Sequence, residues 1–239
     1  MARLFLQKSL SWRVNSAWTR AAFALARAGG LGYHTRVSAA EKNKLTVFLV
    51  ILIVVLYALD QASKWYIVLN FPYDWATDLC LRIDRVIADS AVMNFNIVRV
   101  HNTGVAFGTG NGTAWAPFLF LGVQVAALVW LFSLYRKGFF STKVLKFAWA
   151  LITVGVLGNM TDRLVQGFFR PGAEALGFFQ NLVNGYVVDF LDFSFPWLDH
   201  YHWPSFNVAD SCVCVAAALF LISCFTMPRE DKEKEKGKA

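Results

Sequence analysis

The chain has 239 residues, 56% of them hydrophobic and 16% charged, with a formal net charge of +7. So apolar and charge-poor a composition excludes an ordinary soluble domain. The positive charge is a matter of membrane topology and contact with anionic lipid rather than of nucleic-acid binding.

Residues 1 to about 40 carry Arg3, Lys8, Arg13, Arg20, Arg27 and Arg36 and no acid before Glu41. Such an Arg-rich, acid-poor leader reads either as an organellar transit peptide or as a basic cytoplasmic segment lying on anionic lipid. The chain divides into this basic extension over 1–43, a membrane domain over 44–228, and a charged tail over 229–239. The tail alternates Lys with Glu, so it is expected to be solvated and disordered.

A bilayer core of about 30 Å is crossed by about 20 residues of apolar helix. Four segments qualify: Leu45–Leu69, Trp115–Tyr135, Val144 to about Leu164, and Phe206–Met227. Of the 23 Lys and Arg, seventeen lie before Leu45, between Arg136 and Lys146, or after Met227. The positive-inside rule puts both termini and the Arg136–Lys146 loop on the cytoplasmic side, or its organellar equivalent.

In the first span Asp60 and Lys64 are four apart on one helical face and can pair. An ion pair near the membrane boundary accounts for Lys64, while Asp60 lies deeper, where it could support a polar site. The loop that follows contains VMNFNIVRV, which alternates as a half-buried strand does, and then HNTGVAFGTGNG, whose Gly and Asn permit tight turns and close approach to a ligand. A small sheet on the membrane surface follows from this. The second span carries Gln124 in its middle, read as helix–helix glue. The third ends in GVLGNMTDRL, where Gly155 and Gly158 allow close packing. Asn159 and Asp162 share a face, whereas Asp162 and Arg163 must serve different partners. Phe168 to Asn184 is broken by Pro171, Gly172 and Gly177 and holds two Phe pairs, which suit contact with lipid headgroups. Gly185 to Phe195 reads as a short strand.

Two acids stand out. Asp189 is set in VVDF, and Asp210 opens the last span, which has no other charge through Met227. Ionisable groups so placed are costly to desolvate and mark functional sites. Two carboxylates brought together tend to share one proton, leaving an acid and a base near neutrality. On spacing alone Asp192 and Asp199 compete with Asp189. An HxH pair, His200 and His202, could suggest zinc, and Cys212 with Cys214 lacks further ligands at suitable spacing; no metal and no cofactor is expected. Ser211 adjoins Asp210, but no histidine in that span could activate it. The rival class is a small proton or ion transporter using intramembrane aspartates, and a third is a scaffold with the acids as structural ion pairs.

Five blocks then fall into a pattern: DQASK at Asp60–Lys64, NTGVAF at Asn102–Phe107, GNMTDRL at Gly158–Leu164, VVDF at Val187–Phe190 and FNVADS at Phe206–Ser211. In order and placement they resemble the conserved blocks of bacterial lipoprotein signal peptidase (signal peptidase II), over roughly Leu45 to Met227. The resemblance implies a mainly α integral membrane protein, with four transmembrane helices and a small extracytoplasmic β-sheet. It implies an aspartyl endopeptidase that cleaves prolipoproteins before a diacylglyceryl-modified cysteine, with Asp189 and Asp210 as the catalytic pair. It makes Asn102, Gly104, Asn159, Asp162, Asn207 and Asp60 site or substrate contacts, and Arg163 a contact to the substrate backbone. The implied partners are lipid-modified prolipoproteins and membrane lipids, with no nucleic acid, and the chain is expected to act as a monomer. The implied location is the bacterial inner membrane, with the site toward the periplasm; an organellar membrane is the alternative. Two features depart from the family pattern: the Phe168–Asn184 insertion and the longer basic extension.

Overall fold

The computed structural model describes residues 39–104, 115–199 and 201–226. The basic extension before residue 39, the tail after 226, His200 and the segment 105–114 lie outside the described residues. Among the described residues, five α-helices and six strands run in the order α1 (Ala39–Asn70), β1 (Tyr73–Asp74), β2 (Leu79–Cys80), β3 (Asp84–Ile87), β4 (Asn94–Asn102), α2 (Ala116–Arg136), α3 (Lys143–Val165), α4 (Phe178–Val183), β5 (Val187–Phe195), β6 (Tyr201–Phe206) and α5 (Val208–Thr226). Among the described residues, four helical segments are long and apolar enough to cross a membrane: Asn43–Asn70, Pro117–Arg136, Lys143–Phe169 and Val208–Phe225. They coincide with the four segments read from the sequence, and most of their large apolar side chains face outward, as lipid contact requires.

α3 is the centre of the bundle, packed by α1, α2 and α5. Lipid offers helices no hydrophobic gain on meeting, so close association needs small side chains at the contact. Ala148, Leu151 and Val154 of α3 meet Cys212 and Ala216 of α5, with Ile53 and Leu56 of α1 beside them. Gly155 lets the helices touch at the backbone, since a Cβ there would lie 2.8 Å from the Ala209 carbonyl oxygen. At the far end of the bundle Leu131, Phe140 and Leu145 join α2 to α3, and Trp149 Nε1 donates to the Leu131 carbonyl at 3.2 Å.

The polar elements gather at the opposite end. Strands β3, β4, β5 and β6 form an antiparallel sheet in that order, and β1 and β2 form a separate hairpin. Strands β4 and β5 match the segments expected to be extended; β6, which contains Pro204 and ends at Phe206, where the last span was expected to begin, is an addition. It pairs with β5 through Leu191↔Phe206, Phe193↔Trp203, Ser194↔His202 and Phe195↔Tyr201. Phe193 stacks between Phe95 (4.6 Å) and Phe206 (5.7 Å), which holds the three strands in register on that face. Ile67, Phe71, Tyr186, Val188 and Phe190 form the core joining the sheet to the end of α1.

Arg99 makes that junction specific. Its Nη1 donates to the carbonyls of Val68 (2.9 Å) and Phe71 (3.0 Å), which the end of α1 leaves without helical partners. Its Nε donates to His101 Nε2 at 2.9 Å, so the imidazole is neutral and carries its proton on Nδ1. His101 is stacked between Tyr73 and Tyr186 at 3.7 and 4.0 Å. Burial, and then the charge of Arg99, push its pKa down to about 3.

The Phe168–Asn184 insertion is not all loop. Gly172 adopts a positive φ of 80° that turns the chain, and the helix α4 follows Gly177. The loop closes on itself where Asn181 Nδ2 donates to the Ala173 carbonyl at 2.9 Å. Its stem is tight, since a Cβ on Gly185 would collide with the backbone carbonyl of Arg163.

Candidate active site

α1, α3 and α5 meet β5 around one lysine. Asp60 and Lys64 sit one turn apart on α1, both fully buried, and Lys64 Nζ lies 2.9 Å from Asp60 Oδ2 and 3.1 Å from Asp162 Oδ2. Its remaining donor reaches Asn159 Oδ1 at 2.9 Å. All three ammonium hydrogens are matched, the condition on which a buried cation is tolerated. Gln61 Nε2 lies 3.1 Å from both Asp60 Oδ2 and Asp162 Oδ1 and ties the two acids together. Asn159 and Asp162, expected on one face, both meet Lys64 there, and Asp162 and Arg163 serve different partners.

This ionic cluster grips the chain just before each of the two key aspartates. Asp60 Oδ1 accepts the backbone N–H of Ala209 at 2.8 Å, and Asp162 Oδ2 accepts that of Val188 at 3.0 Å. Gly158 leaves the room for this: a Cβ there would lie 2.5 Å from Asp60 Oδ2 and 3.0 Å from Ala209 Cβ.

Asn207 and Asp210 form a capping box at the start of α5. Asn207 Oδ1 accepts the N–H of Asp210 at 3.0 Å, and Asp210 Oδ2 accepts the N–H of Asn207 at 3.3 Å. The motif satisfies two helix-end donors and fixes the Asp210 side chain. Asn207 Nδ2 meanwhile donates to Asp189 Oδ1 at 2.7 Å, so one asparagine is bonded to both aspartates. Asp210 Oδ1 accepts from Asn159 Nδ2 at 2.8 Å. Asp189 Oδ2 accepts from Asn102 Nδ2 at 3.0 Å, and Asn102 is oriented by Gly104, whose N–H donates to its Oδ1 at 3.2 Å.

Asp189 is only 2% exposed. Burial first, and the nearby Asp210 charge second, push its pKa up to about 7, against the pull of its Asn102 and Asn207 donors. Arg163 is buried beside the pair. Its Nη2 donates to the Gly104 carbonyl at 2.9 Å and its guanidinium lies 5.0 Å from the Phe120 ring. Its Nε and Nη1 have no hydrogen-bond partner among the described residues.

Every residue singled out as site or support, namely Asp60, Asn102, Gly104, Asn159, Asp162, Arg163, Asp189, Asn207 and Asp210, falls in this one cluster. The competing acids do not. Asp192 accepts from Asn96 Nδ2 at 2.9 Å and approaches the exposed His202 Nδ1 at 3.4 Å, while Asp199 sits in a turn at φ 51°. With His200 outside the described residues, the HxH pair is not described as a unit, and no cluster of three metal-ligating side chains occurs among the described residues. The sequence reading missed Gln61, which ties Asp60 to Asp162, and the Arg99–His101 pair, which joins the sheet to the end of α1. Gln61 was at hand within DQASK, but Arg99 and His101 become visible only once β4 is laid against the end of α1.

Fold and site together define a multi-pass membrane protein built around two aspartates, Asp189 buried and Asp210 half-buried, that share Asn207 as a hydrogen-bond partner. The chain belongs to the signal peptidase II family, whose profile matches residues 50–226. It is 32% identical over 187 residues to a lipoprotein signal peptidase of Serratia proteamaculans, spanning 78% of this chain and 91% of that one. A lipoprotein signal peptidase of Alteromonas mediterranea is 36% identical over 146 residues, 61% of this chain and 68% of the relative. The fold is shared with a solved bacterial membrane enzyme at a TM-score of 0.57 and 23% identity, over 77% of this chain and 93% of that one.

Proposed function

We propose that this protein is an aspartic membrane endopeptidase that removes the signal peptide from diacylglyceryl-modified prolipoproteins. One observation carries the reading: Asn207 holds both carboxyl groups, donating from its Nδ2 to Asp189 Oδ1 at 2.7 Å and from its backbone N–H to Asp210 Oδ2 at 3.3 Å. Carboxyl groups held on one residue are placed to act on one substrate bond.

With its pKa near 7, Asp189 is the member that holds the shared proton, and Asp210 is the base. Asp210 takes a proton from water as the oxygen attacks the scissile carbonyl carbon, while protonated Asp189 donates to the carbonyl oxygen. Collapse of the tetrahedral diol breaks the C–N bond, the proton gained by Asp210 passes to the departing nitrogen, and Asp189 recovers its own. Asn102, Asn159 and Asn207 fix both carboxyl groups, and Arg163 offers its unpartnered N–H groups to a substrate carbonyl.

The site lies toward the periplasmic side of a bacterial inner membrane, with both termini on the other side, as the basic loops direct. The functional unit is the domain over 44–228, acting as a monomer on lipid-modified substrates within the bilayer. Nothing in the comparisons supports the transporter alternative.

The test is cleavage of a purified diacylglyceryl-modified prolipoprotein by the full chain. Asp189→Asn and Asp210→Asn should each abolish cleavage while leaving the protein folded and inserted. Near wild-type turnover by either variant would refute the assignment of the pair.

A further inference from the structure

The middle of the second span carries one polar side chain, Gln124, and the site does not use it. Along α2 the inward positions Pro117, Phe120, Gln124, Ala127, Leu131 and Leu134 recur three or four apart, while Val123, Val125, Val129, Trp130 and Phe132 are exposed. Gln124 belongs to the stripe that packs on α3, where glue between helices was expected. Its buried Oε1 has no hydrogen-bond partner among the described residues. A lone amide oxygen in an apolar interior is costly, so helix–helix attachment does not account for it.

Two contacts fix its depth. Phe120 lies against Arg163, and the Leu131 carbonyl accepts from Trp149. The two helices therefore run antiparallel, and at about 1.5 Å per residue Gln124 falls opposite the stretch of α3 around Gly158 and Asn159. That is the level of the Asn159 amide bonded to Asp210. One turn of α2 toward the sheet lies Arg163, with its own Nε and Nη1 unpartnered.

The unmet groups along this seam complement each other: an amide oxygen that needs a donor and guanidinium N–H groups that need an acceptor. A peptide backbone presents both at close intervals. A lipid ester presents acceptors only and leaves the Gln124 oxygen unmet. We infer that Gln124 is a substrate-binding residue, accepting a backbone N–H of the signal peptide as it lies between α2 and the aspartate pair. The inference rests on the proposed function and adds to it a contact inside the membrane, upstream of the bond that is cut.

The experiment replaces the carboxamide by an apolar group of similar size. Gln124→Leu in the full chain should raise KM for a diacylglyceryl-modified prolipoprotein about tenfold, the loss expected for one or two hydrogen bonds. It should leave kcat within about twofold and the thermal unfolding midpoint unchanged or higher. An unchanged KM overturns the inference. So does a lowered unfolding midpoint accompanied by a loss in kcat, which would return Gln124 to helix packing. If the wild-type chain fails to cleave at all, it is the functional reading that falls. Binding of the same prolipoprotein to the Asp210→Asn chain, with and without Gln124→Leu, then decides the role of Gln124 separately: an unchanged Kd overturns it and a rise of about tenfold sustains it.

Discussion

Asp60 accepts the backbone N–H of Ala209 at 2.8 Å, a bond between residues 149 apart in sequence. Asp162 does the same for Val188 at 3.0 Å. Each bond grips the residue just before one aspartate of the pair, so these two acids position the site through backbone, with no hydrogen bond to the Asp189 or Asp210 carboxyl groups among the described residues. Two buried carboxylates can do this only because Lys64 neutralises part of their charge.

Lys64→Met should therefore damage more than one bond. It leaves Asp60 and Asp162 facing each other without their cation and deprives Asn159 Oδ1 of a donor. Removing one partner of a buried ionic cluster costs roughly 3–5 kcal/mol, so a large drop in thermal unfolding midpoint is expected, together with loss of cleavage. A Lys64→Met chain that unfolds at the wild-type temperature would show that the cluster contributes nothing net to the fold.

Gly158→Ala tests the same junction by size alone. Its methyl would press on Asp60 Oδ2 and Ala209 Cβ, and overpacking of this kind costs about 1–3 kcal/mol. Gly122 is the control, since nothing lies within 4 Å of a Cβ placed there. Gly122→Ala in the exposed face of α2 should leave cleavage unchanged and stability equal or slightly higher. Equal behaviour of the two variants in unfolding and cleavage assays would refute the packing argument.

The spans were legible because an apolar run of about 20 residues has few other uses, and β4 and β5 because their polarity alternates or leads into a motif. β1, β2 and β3 are two to four residues long, too short to carry a period. β6 was hidden by Pro204 and by its position beside the last span. In α4, a helix behind Gly177, the breakers were correctly located but the six residues after them still form a turn and a half. For the site, motif resemblance singled out the nine named residues. What it could not express is the wiring, because Lys64 meets Asn159 and Asp162 from nearly a hundred positions away. The capping box in FNVAD was readable in principle, being a local pattern of Asn followed three residues later by Asp.

Asp192 offers a test of placement against spacing. It is three residues from Asp189 on the same strand, yet it bonds Asn96 and approaches His202 rather than Asn207. Asp192→Asn should keep most of the activity, with the amide still able to bond its neighbours. A dead but folded Asp192→Asn chain would transfer the catalytic assignment.

The insertion predicts a lipid contact. The third span runs to Phe169, the insertion's second residue, and α4 packs against α2, so this segment continues the apolar surface of the bundle. Phe178 and Phe179 are 64% and 72% exposed there. A photoreactive benzophenone side chain installed at position 179, in nanodiscs of phosphatidylethanolamine and phosphatidylglycerol, should yield lipid adducts. The same group at position 225 of α5, where Phe225 is 87% exposed, is the positive control. Adducts to a second copy of the chain at position 179 would replace the membrane by a protein neighbour.

Asp189 gives the pH dependence. Its pKa is raised from the ordinary 3.8 to about 7, so between those values the folded chain holds a proton that the unfolded chain has released. Stability must then fall as pH rises through that window. Above pH 7 the folded state carries a buried charge at a cost on the order of a few kcal/mol. Asp189→Asn has no such proton to lose. Relative to wild type, the variant should gain little in thermal midpoint at pH 4 and much more at pH 8. Wild-type cleavage should decline above neutrality for the same reason, since the pair then loses the proton it shares. Parallel midpoint curves for the two chains from pH 4 to 8 would mean that Asp189 titrates as an ordinary surface carboxyl, and the acid role given to it would go with that result.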